Sequence, residues 1–326
     1  MNVNNGEILS MVSLPDFNLN KRETIEDVNY INKITKGTYE LGSVFKTFTI
    51  ASGINEGIIE PDTEFLDSKK TISCGDNHSI GEYDDKMPSD LTVEQILIKS
   101  GNIGSIRIVR KIGKEKHKSF LKSIGILDKI DFDIQEVGKP QLIDWNEGCK
   151  LETISFGHGI TTTILQLAKG YSIIVNGGFD IKPTLIKKKS NKKYKRVKIL
   201  KNDVSEKINP ILRKTVSEGT AGQVDVKGYQ VGGKTGTAQQ PINKKYSNIK
   251  INTLASIFPT EKPEYALIVM LESPKTASEY VYIYRNKKGT FKGTPFNTAG
   301  WTSVEVAGKI IEKIGPILAT KYMEFN

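Results

Sequence analysis

Ser43-Val44-Phe45-Lys46 sets a hydroxyl and an amine three residues apart, and on a helix that spacing brings both to one face, a turn from each other. Serine is a weak nucleophile until a base within hydrogen-bond reach takes its proton, and a lysine shielded from water can be neutral and serve as that base. A helix N-terminus adds unpaired backbone N–H groups and a positive dipole end where an oxyanion develops. Alone the tetrad says little, because the same spacing recurs at Ser119 to Lys122, Ser190 to Lys193 and Ser247 to Lys250. A serine cap with a snorkelling lysine reads the same way. Context separates the first tetrad. Gly42 precedes it, and Val44, Thr47, Phe48 and Ala51 fall on one stripe of a helix running to about Gly53, which predicts a buried helix carrying a lysine.

Two further groups fit the same chemistry. Lys234-Thr235-Gly236-Thr237 follows Gly232-Gly233 and puts a cation, two hydroxyls and a small residue on an extended segment. Alternation along a strand sends Thr235 and Thr237 to one side, and Gly236 lets a substrate backbone come close. Ser100-Gly101-Asn102 offers a second hydroxyl and an amide that both donates and accepts. Each alone is also an ordinary polar turn or loop. Together, in the order S-x-x-K, S-x-N, K-T-G, they match the known signature of penicillin-binding proteins and class A β-lactamases.

The elements that must hold these groups can be read from periodicity. Leu91 to about Arg110 is helical but broken near Ser100 to Gly104, where glycine and asparagine favour a turn. Thr161 to Asn176 reads as a helix stopped by Gly177-Gly178. Asn4-Asn5-Gly6 is turn chemistry and Glu7 to Ser13 alternates like a strand, but only Met1 to Val3 remain for the other arm, so the domain is expected to begin upstream. Gly228 to Val231, Lys234 to Gln239, Asn252 to Pro259 and Tyr265 to Glu272 read as antiparallel strands, and Val304 to Ile314 as an amphipathic closing helix.

Length and composition limit the classes open to the chain. With 326 residues, 37% hydrophobic and 26% charged, it suits one globular domain with a substantial core. Apolar runs such as Tyr265 to Leu271 fall short of the ~20 residues that cross a bilayer, and no signal segment follows Met1. Cys74 and Cys149 have no metal-type spacing, and a pair so far apart cannot be assigned to a bridge from sequence, which leaves the compartment open. The net charge of +10 includes a cluster of Lys187, Lys188, Lys189, Lys192, Lys193, Lys195, Arg196 and Lys198. With Tyr194 as its one interleaved aromatic, it reads as a solvated loop rather than a stacking surface, and nucleic acid is not expected as a partner.

Beyond the three motifs, Asn4 to Leu9 with Ser13-Leu14-Pro15-Asp16-Phe17, the lead-in Thr38-Tyr39-Glu40-Leu41-Gly42, and Glu218-Gly219-Thr220-Ala221-Gly222 complete a pattern. It resembles the transpeptidase domain of class B penicillin-binding proteins, of the septal, cell-division type, over nearly the whole chain. The resemblance implies an α+β fold, an antiparallel sheet flanked by helices on both faces, with a helical subdomain inserted at roughly 60–160 of a single domain spanning 1–326. It implies that Ser43 is acylated by the penultimate D-alanine of a D-Ala-D-Ala stem peptide, or by a β-lactam. Lys46 is then the base, Ser100 a proton relay and Asn102 a brace. Lys234, Thr235, Gly236 and Thr237 bind the substrate carboxylate, with backbone N–H groups of Ser43 and Thr237 as the oxyanion hole.

No cofactor or metal is implied. Implied partners are a polymerising glycosyltransferase and division proteins, with the full-length protein held at the periplasmic face of the inner membrane. Family members usually carry a transmembrane helix and a pedestal domain that this sequence lacks, so a fragment is expected. The middle residue of S-x-N is glycine here, which leaves the flanking side chains intact. A D,D-carboxypeptidase or serine β-lactamase shares the motifs, but no glutamate has asparagine four residues on, the arrangement class A hydrolysis uses. A non-catalytic penicillin-binding sensor is the remaining alternative, although no catalytic position is substituted.

Overall fold

The computed structural model describes residues 1–18, 20–21, 31–74, 79–141, 143–188, 196–242, 245–293 and 297–323. The Ser190 to Lys193 tetrad, and Lys189, Lys192, Lys193 and Lys195 of the basic cluster, lie outside them.

The chain enters through a 3-10 turn, Gly42–Val44, into α1 (Phe45–Asn55). Short strand pairs and helices follow: β1 (Glu64–Phe65), β2 (Thr71–Ser73), β3 (Ser79–Gly81), β4 (Leu91–Thr92), α2 (Val93–Lys99), α3 (Asn102–Ile112), α4 (Lys114–Ser123) and α5 (Lys150–Ile154). Then come α6 (Ile164–Val175), α7 (Asn202–Ser217), the strands β5 (Gly232–Ile242), β6 (Lys245–Phe258) and β7 (Tyr265–Glu272), the hairpin β8 (Val281–Ile283) and β9 (Thr290–Lys292), and α8 (Ser303–Met323).

The three long strands form one antiparallel sheet in the order β5-β6-β7. Alternation along β6 divides its side chains between two cores. Ile251, Ala255 and Ile257 pack with Phe48 of α1, Tyr171 of α6 and Leu212 of α7, whereas Leu254 and Phe258 pack with Val304, Ala307 and Ile311 of α8. The fold is therefore α+β with helices on both faces of the sheet. At roughly 25 cal/mol per Å² of apolar surface buried, these two cores are the main stabilising term.

Local chemistry explains the helix ends. Thr92 with Gln95 and Thr163 with Gln166 form reciprocal capping boxes at the starts of α2 and α6. Gly177 and Gly178 stop α6 at φ +92° and +80°.

Three sequence expectations change. Gly228 to Val231 is a turn, with Gly228 at φ +91° and Gln230 at φ +45°. Glu7 to Ser13 forms only a lone bridge from Glu7 to Thr184, because the Asn2 and Asn5 side chains close the turn themselves and Met1 pairs with Ala266 at the edge of β7. The closing helix runs to Met323, through Pro316. Cys74 and Cys149 form a disulfide with Cα atoms 5.5 Å apart.

Candidate active site

Helix α1 is buried along almost its whole length, from Phe45 to Ile54, so its polar side chains must find protein partners. Thr47 meets the Tyr171 hydroxyl at 2.9 Å, and Thr49 donates to the Ser155 carbonyl at 2.9 Å. Lys46, fully buried, reaches the turn between α2 and α3. Its Nζ donates to the Ser100 carbonyl, to Asn102 Oδ1 at 2.7 Å and to Ser100 Oγ at 3.2 Å. Ser100 holds φ +61° there, a left-handed conformation uncommon for a residue with a Cβ, and one that clusters at functional sites.

Lys234 of β5 completes the group: it is also fully buried, and its Nζ donates to Ser100 Oγ at 2.8 Å and to the Thr235 carbonyl at 3.0 Å. Ser100 thus stands between two amines. Burial pushes Lys46 down to about 7, against a smaller upward pull from the Glu82 carboxylate. Burial, and then repulsion from Lys46, hold Lys234 well below the ordinary lysine value. The lysines of the other described tetrads sit elsewhere, Lys122 exposed on α4 and Lys250 half-buried on β6.

Ser43, Ser100, Asn102, Thr235 and Thr237 line one cleft of about 650 Å³. The two lysines lie beneath its floor. Lys234 therefore does not face the cleft as expected of a carboxylate ligand; its amine is taken up by Ser100, and the hydroxyls of Thr235 and Thr237 are what β5 presents. Gly236 also differs from expectation, because a Cβ there would come within 2.2 Å of the Leu41 carbonyl oxygen. The backbone that approaches it is the chain's own. Gly42, at φ +62°, would set a Cβ 2.9 Å from the Thr237 carbonyl oxygen, so two glycines let the turn bearing Ser43 seat against β5.

Several lining groups had no role assigned from the sequence, Thr220 having entered only as part of the Glu218 to Gly222 segment. Thr220 shares a 2.6 Å hydrogen bond with Thr235. His158, between Gly157 and Gly159 at φ +81° and +68°, is lowered to about 4 by burial and is neutral at physiological pH; the Gly-His-Gly spacing was its only signal. Tyr284, Asn286 and Lys287, on the β8–β9 loop, close the far end with Trp301. That loop is pinned by Arg285, which donates to Glu305 at 2.6 Å, Glu312 at 2.7 Å and the Gln223 carbonyl at 2.7 Å. Among the described residues no cluster of histidine, cysteine and carboxylate side chains could hold a metal. The arrangement sets the Ser100 hydroxyl between two desolvated amines in the cleft that Ser43 also lines, and a desolvated amine is a base of the kind that acyl transfer through a serine requires.

Comparisons with known proteins show the family and the fold. Residues 1–289 match the penicillin binding protein transpeptidase domain model. The probable peptidoglycan D,D-transpeptidase FtsI of Caulobacter vibrioides is 29% identical over 332 residues, covering 98% of this chain and 53% of that protein. The peptidoglycan D,D-transpeptidase FtsI of Buchnera aphidicola is 30% identical, covering 86% of this chain and 50% of its own length. The chain spans about half the length of these curated relatives. Among solved structures, the transpeptidase domain of Burkholderia pseudomallei penicillin-binding protein 3 superposes with a TM-score of 0.79 at 22% identity, covering 97% of this chain and 86% of that one. Penicillin-binding protein 3 of Mycobacterium tuberculosis in complex with ampicillin superposes at 0.77 with 20% identity, covering 97% and 71%.

Proposed function

Because the chain belongs to the penicillin-binding protein transpeptidase family, we propose that its cleft catalyses peptidoglycan D,D-transpeptidation through a Ser43 acyl-enzyme. Lys46 Nζ, neutral, takes the Ser43 proton as Oγ attacks the penultimate D-alanine carbonyl of a stem peptide. Backbone N–H groups of Ser43 and Thr237 receive the oxyanion. The proton passes through Ser100 to the leaving D-alanine amine; an amine of a second stem peptide then attacks the ester, Lys46 takes its proton and returns it to Ser43 Oγ as the ester bond breaks, and the amine keeps the acyl group. Thr235 and Thr237 hold the substrate carboxylate, Lys234 poises Ser100, and Asn102 braces Lys46. β-Lactams acylate the same oxygen.

One observation carries this reading: the fully buried Lys46, lowered to about 7 by burial and directed at Ser100 and Asn102. We read residues 1–326 as one catalytic domain with a helical subdomain at roughly 60–160. The relatives named FtsI support a septal, cell-division role, with a polymerising glycosyltransferase and division proteins as partners.

The Cys74–Cys149 disulfide fits an oxidising compartment, which supports the periplasmic face of the inner membrane as the place of work. No helix of the described residues is long and apolar enough to cross a membrane; the anchor is assigned to the full-length protein. The test is intact-protein mass spectrometry with a penicillin. A stable adduct is expected that maps to Ser43 and is absent in Ser43→Ala; no adduct, or one mapped elsewhere, refutes the assignment. With a D-Ala-D-Ala donor and an amine acceptor, cross-linked product is expected, whereas hydrolysis alone indicates a carboxypeptidase and rapid adduct loss a β-lactamase.

A further inference from the structure

The pair of buried lysines leaves an electrostatic question that the three motifs do not answer, namely what opposes their charge. Helix α3 begins at Asn102, and its preceding residue, Gly101, has no side chain with which to cap it. The cap comes from outside the helix. Glu82, just after β3, accepts hydrogen bonds from the Asn102 backbone N–H at 2.7 Å and the Ile103 N–H at 2.9 Å, one to each carboxylate oxygen. The neighbouring Gly81 carbonyl accepts from Asn102 Nδ2 at 3.0 Å, which turns Oδ1 toward Lys46. Backbone and side chain of Asn102 are thus both fixed by the end of one hairpin, and Cys74 ties that hairpin to Cys149 at the start of α5.

We infer that Glu82 is a positioning residue of this site, holding Asn102 against Lys46 and supplying the negative charge that faces the buried amines. It does not line the cleft, makes no ion pair within 4 Å among the described residues, and touches the reaction only through Asn102 and its field. The ionisable groups around Lys46 come from separate elements. Lys234 on β5 and His158 in the turn after α5 are both lowered by the Lys46 charge, and Glu82 after β3 opposes it. Because Glu82 favours the charged form of Lys46, removing its charge makes Lys46 lose its proton at lower pH.

The assignment rests on the acyl-transfer reading above, and its test separates the two. Acylation by a fluorescent penicillin is followed from about pH 5 to about pH 10, across the range in which a depressed lysine titrates, in the wild type, Glu82→Gln and Glu82→Asp. Glutamine keeps one acceptor for the helix N-terminus without the charge. In Glu82→Gln the acid limb of the rate profile should move down by roughly one pH unit. At a pH below the wild-type limb that variant then acylates several-fold faster relative to its own plateau. Glu82→Asp keeps the charge but not the reach to both N–H groups, so the limb should stay near its wild-type position while the plateau falls. An unmoved limb in folded Glu82→Gln overturns the inference. If Glu82→Gln does not fold, Glu82→Asp decides, and a wild-type plateau in that variant overturns it. Failure of the wild type to acylate at all sinks the acyl-transfer reading instead.

Discussion

Lys46→Met isolates the claim that the fold holds a lysine in its neutral form. Burial brings the amine from its ordinary 10.5 to about 7, and at about 1.4 kcal/mol per pH unit that difference is on the order of 5 kcal/mol. Between these values the unfolded chain binds the proton and the folded chain does not, so wild-type stability rises with pH through the window. Below about pH 7 the whole cost of burying the charge is present; above about 10.5 it is gone. Methionine has similar length and no charge, and the variant lacks this slope.

Urea unfolding of both proteins at several values from about pH 6 to about pH 10 should give stability curves that diverge by several kcal/mol, the wild type gaining as pH rises. The difference cancels the titrations that do not sense Lys46, while Lys234, which the Lys46 charge lowers, titrates higher in the variant and so adds to the divergence. Loss of the amine also unpairs the Ser100 carbonyl and Asn102 Oδ1, at about 1–3 kcal/mol each, an offset that is flat in pH. In the same variant penicillin acylation should fall ~10² to 10⁴-fold, the range of a positioned base. Parallel stability curves would refute the reasoning, because Lys46 would then hold its ordinary proton and could not be the base.

Lys234→Arg places a larger, permanently charged guanidinium where Lys234 is fully buried under Ser100; stability should fall by about 3 kcal/mol in urea unfolding, with acylation lost, rather than activity being kept by the retained charge. Gly42→Ala forces φ +62° on a residue with a Cβ and presses that carbon to 2.9 Å from the Thr237 carbonyl oxygen, so a loss of about 1–3 kcal/mol with slower acylation is expected by the same two assays. Replacing Cys74 and Cys149 together by serine opens a bridge between residues 75 apart in sequence, which should cost about 4 kcal/mol. Thermal melting with and without reductant checks this, since reductant should bring the wild type to the variant's midpoint and leave the variant unmoved.

The parts of the site that were legible in the sequence are those carried by one element. Ser43 and Lys46 share a helix turn, Thr235 and Thr237 share a strand side, and the Ser100 turn announces itself by a glycine and an asparagine between two apolar periodicities. Helix α7 carries Pro210 in its interior, where a proline lacks the N–H that a helix needs, and it is held by packing through Ile208, Ile211 and Leu212 into the main core. The Cys74–Cys149 pairing depends on two loops that only the tertiary fold brings within 5.5 Å. Glu82 is a glutamate like any other until the hairpin end meets α3.

Lys234 shows the same limit most sharply. Strand alternation separates it from Thr235 and Thr237, but whether that other side is water, substrate or core depends on what covers the strand edge. Here the cover is the Ser100 turn. A lysine that composition would place at the surface is therefore sealed against a second buried amine, and the two can share one hydroxyl only because burial lowers the proton affinity of both. The chemistry of this cleft thus comes from three motifs excluding water from one another, and none of the three has it alone.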